Sequence, residues 1–338
     1  MPELRKDPIL GRWIIISTER GKRPTDFIIE KPATTGGFCP LCPGNENTTP
    51  PEVLSYGRPN DAPNHPGWTL RVVPNKYPAL IIEGTLDKEG EGIYDRMNGI
   101  GAHEVIIEDP NHNAAFTYLP HERMIQVFWA FRDRIVDLAR DPRFSYVMVF
   151  KNFGSAAGAS LEHSHSQLIA LPILPRMIVS ELEGSKSYYG YKDRCIFCDI
   201  IREELRKETR IVCQSEHFVA IAPYAPRSPF ETWVLPREHS SSYIDMNESH
   251  LESLTSIFSE VMRRLDACIP NVPYNFVLHT APLRSAPLNY FHWHFEIMPK
   301  LTSIAGFEWG SGFYINPVPP EEAAKFLREA KITEVGQR

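Results

Sequence analysis

The stretch "HEVIIEDPNH" at residues 103–112 has a counterpart, "FETWVLPREH", at residues 230–239. Each stretch contains a run of β-branched and apolar residues that is typical of a β-strand. Each also ends in a histidine, His112 in the first and His239 in the second. Self-similarity of this kind indicates that one structural unit occurs twice along the chain.

Further elements follow the same order in both halves. A C-x-x-C pair comes first. Next comes an apolar pattern with the spacing of an amphipathic helix. A strand-like run, "YVMVF" or "YNFVL", follows, and His-x-His comes last. The residues of the apolar pattern are Met124, Val127, Phe128, Phe131, Ile135 and Leu138 in the first half, and Leu251, Leu254, Phe258, Val261 and Leu265 in the second. Chance placement of histidine and cysteine is the alternative, and the shared order argues against it.

The order of elements predicts the fold class. A strand-rich segment, a long helix and a strand in each half indicate an α+β unit in which an antiparallel sheet carries flanking helices. The chain has 338 residues, enough for two such units. We predict an N-terminal half at residues 1–185 and a C-terminal half at residues 190–338. The polar segment "ELEGSKSYYGYKD" at residues 181–193 is the predicted linker.

The composition excludes some classes of protein. Hydrophobic residues make up 42% of the chain and charged residues 23%, as in globular proteins. The net charge of −6 argues against a nucleic-acid partner, which requires a basic surface. We find neither an 18-residue apolar span nor a signal peptide, and therefore predict a cytoplasmic protein without a membrane partner.

Four of the six cysteines form two C-x-x-C pairs. In a reducing compartment such pairs are metal or redox sites more often than disulfides. A redox pair opens a helix after a strand, whereas "GGFCPLCPGNE" at residues 36–46 is rich in glycine and proline. The composition of this loop favours metal.

Each half offers the four nitrogen and sulfur ligands of a tetrahedral zinc site. Iron also fits such a set, particularly in the second site. The alternative for each histidine is an imidazole at the surface or in the core that binds no metal. The repeat argues against this alternative. The predicted ligands are Cys39, Cys42, His112 and His163 in the first site, and Cys195, Cys198, His239 and His292 in the second.

The assignment of His163 to metal leaves its neighbour His165 available for chemistry. In a strand, His163, His165 and Gln167 point to one side. The preceding segment "KNFGSAAGAS", residues 151–160, has small residues that let a phosphate approach the backbone. His165 is therefore a candidate nucleophile on a nucleotide phosphate, with Gln167 donating to a non-bridging oxygen. The alternatives for His165 are a second metal ligand and a structural role.

The second half lacks this arrangement. Its equivalent of the small-residue segment is the bulky "APLRSAPLNY" at residues 281–290, and Glu296 stands where the first half has Gln167. A carboxylate would repel a phosphate. We therefore predict that His294 is not a nucleophile.

The sequence His163-Ser-His165-Ser-Gln167 resembles the His-x-His-x-Gln motif of the galactose-1-phosphate uridylyltransferase family, within the histidine-triad superfamily. The likeness continues through "DPILGRWIIISTERGKRP" (7–24), "FCPLCPGNE" (38–46), "RVVPNKYPAL" (71–80) and "GAHEVIIEDPNH" (101–112). It implies two histidine-triad-like halves that form one half-barrel. It also implies a homodimer and a role in galactose metabolism.

The resemblance implies a ping-pong reaction in which UMP passes from UDP-glucose to a histidine and then to galactose 1-phosphate. The substrates would be a nucleotide sugar and a sugar phosphate. His165 and Gln167 take the catalytic positions. The positions implied for substrate contact are Arg20 and Arg23 for phosphate, Asn75, Asn152, Gly158 and Ser160 for the nucleotide, and Glu308 for the hexose. Both arginines would come from the partner subunit.

Two features depart from the bacterial pattern of the family and are similar to its ADP-glucose phosphorylase branch. They are the second C-x-x-C pair and Tyr314, which stands at a glutamine position. The alternative function is therefore adenylyl transfer from ADP-glucose to inorganic phosphate. A diadenosine-polyphosphate phosphorylase or hydrolase and a metal-stapled nucleotide-binding protein are further alternatives.

Overall fold

The computed structural model describes residues 1–17, 23–27, 29, 36–58 and 62–332. In each half of the chain, a group of strands is followed by a long helix and then by two further strands. The strands are β1 (Glu3–Lys6), β2 (Trp13–Ile16), β3 (Leu54–Tyr56), β4 (Leu70–Pro74), β5 (Glu89–Glu91), β6 (Tyr94–Arg96), β7 (Ala102–Ile107), β8 (Tyr146–Phe153), β9 (His165–Leu171), β10 (Ile211–Gln214), β11 (Phe218–Ile221), β12 (Thr232–Pro236), β13 (Tyr274–His279), β14 (His294–Pro299) and β15 (Tyr314–Asn316). The helices are α1 (His121–Leu138), α2 (Arg176–Lys192), α3 (Ile196–Lys207), α4 (Glu248–Cys268), α5 (Gly306–Ser311) and α6 (Pro320–Glu329).

A ten-stranded antiparallel sheet forms the centre of the fold. Its order is β10-β11-β12-β14-β13-β8-β9-β7-β4-β3. The five strands of the first half therefore appear in the reverse order of their five counterparts in the second half. The two halves meet where β8 pairs with β13, for example at Val277 and Phe150. This arrangement is an internal two-fold repeat, and it places β9 and β14, which carry the two His-x-His motifs, next to the central pair.

The two long amphipathic helices cover this sheet. All apolar residues that the helical spacing predicts on α1 and α4 are buried, and the two helices contact each other. They contribute to one hydrophobic core that extends through both halves of the sheet. Burying a leucine or phenylalanine side chain contributes about 1.5–3 kcal/mol, so this core stabilises both halves together. The predicted α+β class, with an antiparallel sheet and flanking helices, is confirmed.

The segment at residues 181–193, predicted to be a linker, is not a loop in the structure, because most of it belongs to α2. Tertiary contacts explain the difference. The Glu181 carboxylate accepts a hydrogen bond from buried His279. Gly184 lies so close to the Ile9 carbonyl that a Cβ atom would approach its oxygen to 2.0 Å. Glycine therefore permits helix packing here rather than a turn. The division of the chain into domains at this segment stays a prediction.

A second, three-stranded sheet, β1-β2-β15, brings the N-terminus to the C-terminal half. β15 pairs with β2 in parallel, through Ile315 and Ile15 among other residues. No helix in the described ranges combines the length and the apolar composition that crossing a bilayer requires.

Candidate active site and metal centres

Strand β9 presents its alternating residues to two different environments. Gln167 pairs with Val105 of β7 on one side and with Phe150 of β8 on the other, while His165 pairs with Ile107. Because side chains alternate along a strand, His165 and Gln167 share one face and Ser166 lies on the other. The predicted histidine and glutamine thus occupy neighbouring positions on the same face of the sheet.

The tautomer of His165 follows from its hydrogen bond. Its Nδ1 lies 2.8 Å from the His163 carbonyl oxygen, and a carbonyl only accepts, so Nδ1 carries the proton. Nε2 therefore holds the lone pair, and no described residue donates a hydrogen bond to it. Burial, with the nearby Lys151 ammonium, holds the pKa of His165 below its ordinary value. The imidazole is neutral, as a nucleophile must be.

A buried ion pair supports β9 from the opposite face. Lys151 Nζ lies 2.7 Å from Glu108 Oε2 and donates to the His165 carbonyl at 2.8 Å. The Ser164 and Ser166 hydroxyls both donate to the Glu108 carboxylate. Burial lowers the pKa of Lys151, and the Glu108 carboxylate counteracts the effect of burial. This network binds three consecutive residues of the motif to fixed partners.

We expect Lys151→Met to lower the free energy of unfolding by about 3–5 kcal/mol, because it leaves the Glu108 charge buried without a partner. The double variant Lys151→Met/Glu108→Gln removes both charges and should recover part of the loss. Urea unfolding of the two variants and the wild type measures the difference. A double variant no more stable than the single one would contradict the assigned ion pair.

Strand β13 holds the loop between β8 and β9 in place. The Asn275 amide of β13 donates to Asn152 Oδ1 at 2.7 Å and to the Ala157 carbonyl at 2.9 Å. Since Asn152 Oδ1 is an acceptor in this contact, the Asn152 NH2 group is left to donate. Gly158 has φ of +86°, which favours glycine, and a Cβ atom at this position would lie 3.9 Å from the Asn152 amide nitrogen. Asn152 and Gly158 are therefore neighbours in space.

Asn75 belongs to the same neighbourhood. It follows β4, and its side-chain oxygen accepts a hydrogen bond from the Tyr77 backbone N–H. Its amide nitrogen lies 3.2 Å from His103 Nε2, which in turn lies 2.9 Å from Gln167 Oε1. Asn75, His103 and Gln167 thus form a row along the sheet surface.

The resemblance implies four further residues for substrate contact, and none of those that the structure describes forms a hydrogen bond to this row. Arg20 lies outside the described residues. Arg23 is exposed, and Ser160 is exposed on the loop before β9. Glu308 lines a cavity of about 210 Å³ with Arg227, Lys300 and Tyr314, among others, and neither His165 nor Gln167 lines that cavity.

The first predicted metal set converges. The four ligand atoms lie within 4.8 Å of one another. Sulfur–nitrogen separations are 3.4 Å for Cys42 and His112, 3.5 Å for Cys42 and His163, and 3.6 Å for Cys39 and His163. With Zn–S bonds of about 2.3 Å and Zn–N bonds of about 2.0–2.1 Å, a tetrahedral zinc separates S and N ligands by about 3.5 Å. The residues therefore fit zinc.

The second set has the same geometry. Cys198 Sγ lies 3.4 Å from His239 Nδ1 and 3.7 Å from His292 Nδ1, and Cys195 completes a cluster within 4.8 Å. In each half, the Nε2–H of the first histidine of His-x-His donates to a backbone carbonyl. These contacts are His163 to Asp109 at 2.7 Å and His292 to Pro236 at 2.9 Å. Such contacts leave Nδ1 free to bind metal and orient the ring.

Comparison with known proteins gives the family. The model described as galactose-1-phosphate uridyl transferase, N-terminal domain, matches residues 1–175, and the corresponding C-terminal domain model matches residues 181–327. The chain belongs to the galactose-1-phosphate uridylyltransferase family. Membership makes it a nucleotidyltransferase, as predicted from the sequence.

The relatives of the chain within this uridylyltransferase family differ in their names. An ADP-glucose phosphorylase of Arabidopsis thaliana is 37% identical over 98% of this chain and 94% of its own. A galactose-1-phosphate uridylyltransferase of Thermotoga maritima is 29% identical over 98% of this chain and 99% of its own. The solved Arabidopsis ADP-glucose phosphorylase with bound ADP-glucose has a TM-score of 0.82 at 34% identity, covering 98% of this chain and 100% of that one.

The region around His165 has a counterpart in the second half. His294 Nδ1 donates to the His292 carbonyl at 3.1 Å, as His165 does to His163. Around it, His279 donates to Glu181 at 2.8 Å, and Arg227 donates to Glu296. Burial and the charged His279 lower the pKa of His294 to about 4. His294 therefore lies among buried ion pairs, and the prediction that it is not a nucleophile stays a prediction.

Two residues in this region, Glu181 and His279, were not found from the sequence. With His294 and Glu296 they form a third group whose ligand atoms lie within 4.8 Å of one another. A lysine inside the apolar run "YVMVFKNF" was a signal for the buried pair of Lys151 and Glu108, since lysine is rarely buried unless paired. The roles of His103 and Asn275 had no comparable signal.

Proposed function

We propose that the protein transfers UMP from UDP-glucose to a hexose 1-phosphate, galactose 1-phosphate, through a covalent uridylyl-His165 intermediate. The observation that supports this most directly is the neutral imidazole of His165, whose Nε2 lone pair faces no hydrogen-bond donor among the described residues. A buried imidazole fixed in this tautomer is prepared for attack on phosphorus.

The reaction proceeds in two displacements. In the first, the Nε2 lone pair of His165 forms a bond to the α-phosphorus of UDP-glucose, and the bond to the bridging oxygen breaks. Glucose 1-phosphate leaves with the electron pair. In the second, a phosphate oxygen of the acceptor attacks the same phosphorus, and the P–N bond breaks to restore neutral His165. No proton has to be moved to or from His165 Nε2 in either step.

Neighbouring amides provide the electrostatic stabilisation. We assign the Gln167 and Asn152 NH2 groups to the non-bridging oxygens, because the oxygen atoms of both amides accept hydrogen bonds from the protein. Donors fixed before the reaction stabilise the developing charge without reorganisation. We assign Gly158, Ser160 and Asn75 to contacts with the nucleotide, as the family resemblance implies.

We propose zinc in both Cys2His2 sets, with iron as the alternative in the second. Neither set takes part in the displacement. An ion in the first set would bind His163, two residues before the nucleophile, and would thereby fix the position of β9. An ion in the second set would fix the equivalent strand, β14, through His292. A homodimer is also proposed, since the cavity that Glu308 lines does not include His165, and a site shared between two subunits would bring the two residues together.

The second candidate function is adenylyl transfer from ADP-glucose to inorganic phosphate. The 37% identity to the Arabidopsis ADP-glucose phosphorylase favours it, as do the second C-x-x-C pair and Tyr314. The first displacement at His165 would be the same, and only the base and the acceptor would differ.

Steady-state rates with each donor in combination with each acceptor distinguish the two functions. UDP-glucose with galactose 1-phosphate should give the highest kcat/KM under the proposal. A higher value for ADP-glucose with inorganic phosphate would replace it with the second candidate. Absence of turnover in all four combinations would contradict both.

A further inference from the structure

His103 occupies a position from which it controls the side chain of Gln167. It lies on β7, the strand that pairs with β9, and Val105 of β7 is directly opposite Gln167. His103 therefore shares a face with Gln167, and the two side chains meet at 2.9 Å between Nε2 and Oε1. Neither the family comparison nor the sequence motifs assign a role to His103.

The backbone settles which nitrogen of His103 carries the proton. The Ala79 backbone N–H donates to His103 Nδ1 at 3.1 Å, and a backbone amide nitrogen is always a donor. Nδ1 of the neutral ring must therefore hold the lone pair, and Nε2 must carry the proton. The Asn75 NH2 group near Nε2 is itself a donor, because Asn75 Oδ1 accepts from Tyr77. Among the described residues, Gln167 Oε1 is thus the acceptor for His103 Nε2–H.

This hydrogen bond sets the direction of the Gln167 amide. The torsion that turns an amide end over end is soft, and its two orientations are nearly equal in energy unless a partner selects one. With Oε1 held by His103, the NH2 group is turned away from His103 and is available to a phosphate oxygen. In the reversed orientation, the Gln167 oxygen would face that phosphate oxygen and repel it.

The second half supports this interpretation by contrast. Glu296 pairs with Trp233 as Gln167 pairs with Val105, so Glu231 stands where the first half has His103. There Arg227 donates to both Glu231 and Glu296. The residue at this place on the neighbouring strand therefore belongs, in each half, to the group that binds the last residue of the H-x-H-x-Q or H-x-H-x-E motif.

We propose that His103 is a positioning residue that orients the Gln167 amide towards the reacting phosphate. This inference rests on the proposed role of Gln167 in nucleotidyl transfer. His103 itself does not touch the substrate, and its effect passes entirely through the Nε2–H···Oε1 hydrogen bond.

Two conservative variants separate the two hydrogen bonds of His103. In His103→Gln, the side-chain nitrogen can take the place of Nε2 and donate to Gln167. In His103→Asn, the side-chain oxygen can take the place of Nδ1 and accept from Ala79, but the side chain is too short to reach Gln167. Loss of a partner that orients a catalytic group costs about 10–100-fold. We expect kcat to fall by this factor in His103→Asn, with KM little changed, and to be largely restored in His103→Gln.

A double-mutant cycle with Gln167→Ala tests the route of the effect. If His103 acts through Gln167, adding His103→Asn to Gln167→Ala should lower kcat no further. Equal losses in the Asn and Gln variants, or losses that multiply in the double variant, would overturn the proposal. Thermal unfolding of each variant shows whether a loss reflects folding instead.

The tautomer can be measured without any substrate. Nitrogen-15 NMR of the imidazole, assigned by comparison with His103→Gln, should show His103 protonated at Nε2. Protonation at Nδ1 would overturn the proposal whatever the protein transfers. Conversely, a wild type that transfers no nucleotide would contradict the proposed function, and the NMR result would still decide how the Gln167 amide is held.

Discussion

Replacing His165 by asparagine is expected to lower the rate of nucleotidyl transfer by at least about 10³-fold, because the covalent route is lost when the nucleophile is removed. The asparagine NH2 group can still donate to the His163 carbonyl, the contact that His165 Nδ1 makes at 2.8 Å. What disappears is the Nε2 lone pair. Initial rates with UDP-glucose and galactose 1-phosphate, and with ADP-glucose and phosphate, measure the loss.

The matched control is the equivalent change in the second half, His294→Asn. His294 makes the same backbone contact but lies among buried ion pairs, so we expect kcat to remain within about threefold of the wild type, since it makes no interaction in the transition state. Metal content and thermal unfolding verify that both variants are folded. Equal losses in the two variants, or full turnover by His165→Asn, would show that His165 is not the nucleophile.

Substitution of Cys42 by serine is expected to remove one of two zinc equivalents and to unfold the loop that contains it. Structural zinc contributes about 10–16 kcal/mol in small zinc domains, comparable to the whole stability of a typical protein. Because the same centre binds His163, transfer should be lost together with the metal. Elemental analysis, thermal unfolding and the transfer rate, measured on one preparation, test these consequences.

Cys213→Ala is the control for the cysteine substitution. Cys213 is buried in the hydrophobic core and belongs to neither cluster. We expect it to retain both metal equivalents and to lose only the few kcal/mol that a core truncation costs. A Cys42→Ser protein that keeps two metal ions, or a metal-free wild type that is folded and active, would refute the predicted centre.

The repeat made most of the fold predictable. The spacing of Met124 to Leu138 and of Leu251 to Leu265 predicted α1 and α4, because one face of each helix must be buried against the sheet. The repeat also indicated which histidines accompany each C-x-x-C pair, and those residues do converge. The positions of the two helices and the grouping of the metal ligands are thus contained in the periodicity and the order of residues along the chain.

Other features depend on contacts between distant segments. The segment at 181–193 has the composition of a linker, yet Glu181 is fixed by His279 and Gly184 by close packing on Ile9. The tautomer of His103 follows only from the Ala79 N–H that faces it. The separation of Glu308 from His165 likewise emerges only when the chain is folded. Local sequence patterns contain none of these relations.

The proposed mechanism requires that His165 becomes covalently nucleotidylated. Intact-protein mass spectrometry tests this step after separate incubations with UDP-glucose and ADP-glucose, at high pH to preserve the P–N bond. We expect a mass increase of one uridylyl group, absent in His165→Asn and discharged by galactose 1-phosphate. An adenylyl adduct discharged by inorganic phosphate would keep His165 as the nucleophile but assign the second candidate function. No adduct with either donor, or an adduct that persists in His165→Asn, would contradict the proposed mechanism.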